Sequence, residues 1–404
     1  MPVPMSASAP AREPLFTPRF FALWAYAFVT FFSAFQLLPA IPFRILELGG
    51  SKAEAGWFLS VYTFASAFAA PIMGSIADHV GRRRLLITAS VLFIGFSVAY
   101  GLITNLKVLL LIGAIHGSIW SGILASASAI MSDFIPESRR TQGLAWWGLA
   151  STAAITLAPA IGLWVFHYGW LTLSLELAAL SVVMSIGAVM LPVPETMTPL
   201  SGSALAKAWD WRVVRTTLSL TVVAIGYGGI TSYSAIVAVE RGITPKSIYL
   251  TTFAITVVIF RVLFSHLGDR LGPKHVLYPM LAIIPFAFVT LSLAHSRAHM
   301  IGSAILFGIG FGGAYPAFAT FVLDNTDPRR RARTFGSIVW AFDTGIGAGS
   351  FLIGAIGEHR SLGFAFMMAA IVSCLAIPIF EFASRGLIAD GTPLAADLDH
   401  AGTD

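Results

Sequence analysis

The sequence is poor in charge. Of its 404 residues only 11% are charged, while 56% are hydrophobic and the mean hydropathy is +0.80. Soluble domains carry about a quarter charged residues. A fold surrounded by water could not hide so much apolar surface, so the composition excludes a soluble globular protein and indicates one whose solvent is lipid.

Cysteine and the common catalytic motifs are also scarce. Cys374 is the single cysteine and lies inside an apolar run, which excludes a disulfide framework and a cysteine-based metal site. The sequence has no phosphate loop, no helical zinc pair and no nucleophile elbow. The glycines of GIGFGG, at 308–313, have no strand before them, which argues against nucleotide binding. We therefore expect no enzyme activity, no metal and no other cofactor.

Long apolar runs fill most of the chain. A membrane helix needs about 20 apolar residues to cross the hydrocarbon. Twelve runs of that size occur, at approximately 20–40, 55–76, 85–103, 107–132, 143–166, 169–191, 213–239, 247–268, 275–295, 298–322, 334–357 and 361–384. The sequence therefore predicts an all-α integral membrane protein with 12 transmembrane spans.

Lysine and arginine are concentrated in alternate loops. The pI near 9.5 reflects short basic clusters between apolar runs, such as Arg82–Arg84 and Arg329–Arg331. This placement is typical of membrane topology rather than of a nucleic-acid-binding patch. Because cytoplasmic loops collect positive charge, we expect both termini in the cytoplasm of a multi-pass inner-membrane protein, and no nucleic-acid partner.

The chain also repeats internally. Asp78 and Gly81 recur 191 positions later as Asp269 and Gly272, and Asp133 recurs at the same offset as Asp324. Two parallel six-helix repeats are a transporter architecture with the substrate site at their interface. We predict an N-terminal tail at 1–19, bundles at 20–191 and 213–384, a cytoplasmic linker at 192–212 and a C-terminal tail at 385–404.

One loop carries a family resemblance. Between spans 2 and 3 the chain has Gly74, Ala77, Asp78, His79, Gly81, Arg82 and Arg83. This is similar to the loop pattern of the major facilitator superfamily, with histidine where arginine is usual. The resemblance extends over all twelve spans. It implies two pseudo-symmetric six-helix bundles, alternating access, a small-molecule substrate and a monomeric transporter of the drug or metabolite efflux type.

The resemblance also implies a cytoplasmic gate. Asp78 would face the start of span 11, and Arg82 would pair with Asp133, latching the two halves when the cavity opens outward. The alternative is that the arginines only enforce topology, which would be enough to explain Arg83. The second half repeats the gate with fewer charges, through Asp269, Gly272, Lys274 and Asp324.

Two other family motifs match less well. In span 5 the chain keeps Pro159 and Gly162 of the antiporter signature but has Ala158 and Leu163 where glycines are usual. Span 4 lacks the arginine found in many proton-coupled members. These departures weaken an assignment as an antiporter and leave the predicted fold intact.

Ionisable residues inside the spans are functional candidates because each costs about 3 kcal/mol to insert. Asp343 in span 11 and Arg261 in span 8 have similar depths, which predicts an ion pair or network that serves either stability or coupling. His116 in span 4 could titrate near neutral pH or simply pack. Glu176 in the peripheral span 6 would bond a neighbouring helix or reach the outer interface.

Aromatic side chains are the candidates for the substrate cavity. Most of the chain's 31 phenylalanines must pack or face lipid, so only a subset can meet substrate. The selected residues are Tyr26, Phe32, Phe35, Gln36, Trp120, Tyr227, Tyr233 and Tyr315. A cavity of aromatic and small residues with few charges suits amphipathic or hydrophobic organic solutes.

These features together favour a proton-coupled efflux antiporter for amphipathic compounds. An importer or exchanger of small polar metabolites is the alternative within transport. A membrane receptor or scaffold is the alternative outside it, but such a protein would not need two gate-like repeats or charges inside the membrane.

Overall fold

The computed structural model describes residues 14–136, 139–191, 211–264, 271–326 and 331–389. The first half of the chain forms α1 Pro18–Glu47, α2 Lys52–Ala55, α3 Trp57–Val80, α4 Arg82–Leu102, α5 Leu106–Phe134, α6 Arg140–Phe166 and α7 Trp170–Met190. The second half forms α8 Trp211–Glu240, α9 Ile248–Phe264, α10 Pro273–Ser292, α11 Arg297–Asp324, α12 Arg331–His359, α13 Leu362–Ser373 and α14 Ala376–Ala389.

The predicted all-α membrane fold is confirmed. In the described residues, eleven helical segments are long and apolar enough to cross a membrane, with α13 and α14 together forming the last. The helix α9, of 17 residues, supplies the remaining predicted span, and its described part ends where 265–270 begin. Of the predicted linker and tails, residues 192–210, 1–13 and 390–404 lie outside the described residues.

Two details differ from the expected spans. The short helix α2 lies between the first two spans, where Ser51 and Glu54 form a capping box that stabilises it locally. The last span is divided, because the chain turns at Cys374 and Leu375 before α14 begins. The last helix also continues past Arg385 to Ala389, into the segment predicted as the tail.

Each half has a tight glycine turn at the repeated loop. Gly81 joins α3 to α4 with φ of 103°, and Gly272 precedes α10 with φ of 82°. Positive φ values of this kind favour glycine, since a side chain would collide with the backbone there. The repeat seen in the sequence therefore corresponds to a repeated backbone conformation.

The two halves meet along four helix pairs in the described residues. α3 and α2 pack against α12, α6 against α9 and α1 against α8, while α4 and α7 pack within the first half. Because the helices alternate in direction, one end of the bundle carries α2 and the opposite end carries Arg82. These are called the α2 end and the Arg82 end below.

Candidate functional site

Asp343 is a carboxylate within a membrane span that interacts with residues of both halves. It lies in α12, about 18 Å from Arg331 at 1.5 Å per residue, and it is partly buried. No described residue gives it a hydrogen bond or an ion pair. The hydroxyls of Tyr62, Tyr227 and Tyr315 interact with it electrostatically, and Tyr62 belongs to the first half. A carboxylate therefore lies between tyrosines of both halves without a fixed partner.

The expected ion pair between Asp343 and Arg261 is not formed. Arg261 lies near the end of α9, and in the described residues no ion pair within 4.0 Å joins it to Asp343. The Tyr315 hydroxyl interacts electrostatically with both charges. Tyr315 thus interacts with both residues where no direct contact between them is formed.

Aromatic rings surround this carboxylate in the second half. Tyr227 stacks on Phe311 at 4.8 Å between ring centroids, and Tyr315 meets Phe342 edge-on at 5.2 Å. Phe342 precedes Asp343 in α12 and lies 5.9 Å from Phe311. Three helices thus place packed aromatic rings next to Asp343, and the cavity role of Tyr227 and Tyr315 stays a prediction.

The first half contributes a second group of rings. Trp120 is buried and meets Phe31 edge-on at 5.1 Å, and Phe31 lies 6.2 Å from Phe35. Phe32 stacks on Phe28 at 5.6 Å. Phe32 and Phe35 are both partly buried, and Trp120 packs into the core of this half.

Three of the predicted cavity residues have other contacts. Tyr26 is buried and its hydroxyl lies 2.9 Å from Ser90 Oγ in α4, within the first half. Gln36 is fully buried, and its Nε2 donates to Glu176 Oε1 at 2.9 Å. Tyr233 is fully buried and contacts the α2 end. These contacts account for part of the polar groups of Tyr26, Gln36 and Tyr233, and the prediction that the three residues line the substrate cavity stays a prediction.

His116 lies in an aromatic box. Its Nδ1 is 2.9 Å from the Tyr100 hydroxyl, and its ring packs against Phe93, Phe96 and Tyr62 at 4.3, 5.0 and 5.1 Å. Only 4% of the residue is exposed. The geometry favours the packing interpretation of His116 over a role in proton coupling.

The span 5 motif brings two helices into close contact. Gly162 lies in α6 against α1, and a Cβ added there would be 2.6 Å from the Gln36 carbonyl oxygen. Pro159 lies one turn earlier in the same helix, and Ala158 is fully buried. Gly162 thus permits the α1–α6 packing, and glycine is not needed at the positions of Ala158 and Leu163 for that contact.

The repeated loop of the first half carries an ion pair. Arg82 Nη1 lies 3.0 Å from Asp133 Oδ2, and both residues belong to the first half. Arg83 Nη2 donates to the Val189 carbonyl at 2.7 Å, so this arginine also ties α4 to α7. Asp78 lies in the last turn of α3, and its side chain is outside the described residues.

The second copy of the loop has different contacts. Lys274 Nζ lies over the Phe321 and Phe380 rings at 5.1 and 5.8 Å. Asp324 is exposed, and within the described ranges no ion pair links it to Lys274. Asp269 lies outside the described residues, while Gly272 retains the positive φ of its counterpart.

Lys52 and Glu358, which the sequence did not single out, join the halves at the α2 end together with Tyr233. Glu358 accepts a hydrogen bond from Lys52 N at 2.8 Å, and Tyr233 donates to the Lys52 carbonyl at 2.8 Å. These pairs lie 306 and 181 positions apart in the chain. No local sequence signal marks such contacts.

Comparison with known proteins agrees with this architecture. The sequence model of the Major Facilitator Superfamily matches residues 23–247 and 216–386. The multidrug resistance protein MdtG of Rahnella sp. is 23% identical over 389 residues, which cover 91% of this chain and 94% of MdtG. The multidrug export protein EmrB of Escherichia coli is 23% identical over 240 residues, or 57% of this chain and 43% of EmrB.

A third relative matches over a shorter segment. The fatty acid resistance protein FarB of Neisseria gonorrhoeae is 25% identical over 135 residues, which cover 33% of this chain and 27% of FarB. The chain thus spans nearly all of MdtG but less than half of EmrB and of FarB.

Solved structures show the same fold. A bacterial homologue of the human lysosomal transporter Spinster, in an inward-facing and unoccupied conformation, superposes with a TM-score of 0.79 at 15% identity, covering 95% of this chain and 100% of the other. The nucleoside transporter NupG gives 0.72 at 14% identity, covering 91% and 100%. With both halves matched by the family's sequence model, the chain belongs to the Major Facilitator Superfamily and is a multi-pass membrane transporter of small molecules.

Proposed function

We propose that the chain is a proton-coupled efflux antiporter for amphipathic organic compounds. The observation that carries this proposal is Asp343, a carboxylate deep in α12 that receives no hydrogen bond or ion pair from the described residues. An intramembrane charge left without a fixed partner costs free energy and is retained where it has a function. The multidrug and fatty-acid resistance of the relatives supports efflux of apolar or amphipathic compounds.

In the proposed cycle, Asp343 takes up a proton from one side and releases it to the other as access to the site alternates. The rings of Tyr227, Phe311, Phe342 and Tyr315 supply the apolar wall that binds the organic part of the substrate. Tyr62 brings a hydroxyl of the first half towards the same carboxylate, so the site changes whenever the halves move. One chain supplies both halves, which supports action as a monomer.

The proposed orientation has the Arg82 end, both termini and the linker in the cytoplasm of an inner membrane. The support for it is the arginine cluster at 82–84, together with Arg331 and Arg333 where α12 begins at the same end. Asp78 at the end of α3 and the start of α12 would close this end in the alternate state. The Arg82–Asp133 pair would hold the loop in shape within the first half.

The test is proton coupling in proteoliposomes. Purified protein is reconstituted with the internal pH dye pyranine, and proton movement is recorded when ethidium or oleate is added. Asp343→Asn keeps the shape of the side chain but cannot titrate, so we expect substrate-induced proton release to be lost while binding of the same compound persists.

The matched control is Glu176→Gln, which also removes an intramembrane carboxylate but keeps an acceptor for Gln36. This variant should couple as the parent does. Proton release that is undiminished in Asp343→Asn would contradict the assignment of the proton site.

A further inference from the structure

The α2 end is closed by contacts that converge on one short segment, Ser51–Gly56. This segment follows α1 and belongs to the first half, and the residues that hold it belong to α8 and α12 of the second half. The Ser51–Glu54 capping box fixes its shape, since Ser51 N donates to Glu54 Oε2 at 2.8 Å. The second half therefore binds a segment whose shape is already fixed by its own hydrogen bonds.

Three side chains of the second half bind the backbone of the segment. Glu358 Oε2 accepts hydrogen bonds from Lys52 N at 2.8 Å and Ala53 N at 3.4 Å. Tyr233 donates to the Lys52 carbonyl at 2.8 Å. Ser350 Oγ donates to the Gly56 carbonyl at 2.9 Å. Hydrogen bonds to a charged carboxylate are the stronger kind, so Glu358 contributes most.

Side chains add two further links between the halves. Lys52 Nζ forms an ion pair with Glu240 Oε1 at 2.5 Å. Lys246, in the loop between α8 and α9, places its Nζ 4.7 Å from the Phe43 ring and 4.4 Å from the Phe166 ring, both in the first half. Burial in this position lowers the pKa of Lys246, and the nearby Glu47 partly offsets that effect. The ammonium is thus partly desolvated at the contact.

Glycines allow the two surfaces to approach. A Cβ added to Gly56 would collide with the Ser350 carbonyl and the Tyr233 hydroxyl, and one added to Gly347 would be 2.5 Å from Thr63 Oγ1. The two halves are therefore in tight contact at the α2 end.

We propose that Ser51–Gly56, gripped by Glu358, Tyr233, Ser350 and Glu240, is the clasp that keeps the α2 end closed. Release of this clasp is then the step that opens the α2 end. The inference rests on the alternating access of the proposed function, and Glu358 is a positioning residue that acts through the backbone of the clasp and contacts no substrate.

The test measures the opening of each end by double electron–electron resonance in nanodiscs without substrate. The background is Cys374→Ser, which removes the only cysteine. One pair of spin labels, at Thr104 and His295, reports on the α2 end, and another, at Met190 and Leu271, reports on the Arg82 end. All four positions are exposed.

Glu358→Ala removes the acceptor of two backbone amides, and Gly56→Ala forces a methyl group between the halves. For each, we expect the population with long distances at the α2 end to rise about tenfold, the ratio for one lost charge-assisted hydrogen bond. The matched controls are Asp133→Asn, whose carboxylate pairs with Arg82 within the first half, and Gly302→Ala, where a Cβ meets nothing within 4 Å. Both controls should keep the parent distances.

Exchanging the charges of the Lys52–Glu240 pair distinguishes loss of the contact from misfolding of a variant. Lys52→Glu and Glu240→Lys should each open the α2 end, and the double variant should restore the parent distances because the ion pair is rebuilt in reverse. Unchanged α2-end distances in Glu358→Ala and Gly56→Ala, or no restoration in the double variant, would overturn the clasp. If the α2 end opens while the Arg82 end stays as it was, the clasp stands and alternating access fails.

Discussion

Glu176 in the first half and Asp343 in the second are carboxylates inside membrane spans, and their contacts among the described residues differ. In the first half, Glu176 receives a hydrogen bond from the fully buried Gln36. In the second half, Asp343 receives none and lies beside the hydroxyls of three tyrosines. The hydrogen bond from Gln36 offsets part of the free-energy cost of burying the Glu176 carboxylate, whereas the Asp343 carboxylate has no such compensation from the described residues. The two halves thus share the same helix arrangement but differ in how their intramembrane carboxylates are hydrogen-bonded.

The repeated loops show the same division. Gly81 and Gly272 both adopt positive φ at the junction of two helices. At the first loop a guanidinium pairs with a carboxylate, whereas at the second the ammonium of Lys274 rests on two aromatic rings. The turn geometry repeats because the connection requires it, and the side-chain contacts have diverged.

The largest effect on stability should come from the glycines that pack repeat-related helices. Gly162 brings α6 against α1, and Gly349 brings α12 against α8, where an added Cβ would collide with the Ile225 carbonyl. We expect Gly349→Ala to lower the free energy of unfolding by about 3 kcal/mol and Gly162→Ala by about 1 kcal/mol, because overpacking against backbone cannot be relieved by a rotamer change.

The measurement is the apparent melting temperature in detergent, with Gly302→Ala as the control. Equal losses for the two glycine variants would show that the two interfaces are equally tolerant, which would remove this difference between the halves.

The span positions, the repeat and the loop positions that form the Arg82–Asp133 pair could be predicted from the sequence. Apolar length fixes a span, and a charged loop must lie at a helix end. The rotation of each helix could not be predicted. Gln36 and Phe35 are neighbours about 100° apart on a helix that is apolar nearly all round, so no polar face shows which of them turns towards the other half.

Contacts at the α2 end were beyond prediction for a different reason. The partners of Lys52 come from two helices of the other half, and their pairing depends on how the halves are inclined. Of the predicted ion pair or network between Asp343 and Arg261, the direct pair is not formed in the described residues, since equal depth along two helices does not by itself bring two side chains together.

The difference between the two carboxylates can be removed by mutation. Gln36→Leu leaves Glu176 without its hydrogen bond, as Asp343 is, and should lower the free energy of unfolding by about 1 kcal/mol, the usual worth of a polar contact between membrane helices. Replacing both residues, Gln36→Leu with Glu176→Leu, should recover most of the loss because no buried polar group then lacks a partner.

The measurement is the melting temperature together with pyranine-detected coupling. Coupling should be unchanged in all of these variants. A loss of proton release in Gln36→Leu would mean that the first-half carboxylate also takes part in the proton path, and the contrast between the halves would fail.

The smallest effect concerns the two loops. Arg82 and Asp133 are 29% and 60% exposed at the side chain, and exposed ion pairs are worth up to about 1 kcal/mol. Asp133→Asn should therefore change the melting temperature little at low salt and still less in high salt, because counterions screen the pair. Lys274→Met keeps an apolar chain over Phe321 and Phe380 but loses the electrostatic interaction with Glu381, so its change should be equally small and should also decrease in high salt. The measurement is the melting curve at two ionic strengths, with Asp324→Asn as the control for an exposed carboxylate that has no ion pair among the described residues. A salt-independent loss in Lys274→Met would show that the ring contacts alone stabilise the second loop, and the two loops would then differ in the kind of contact that holds them.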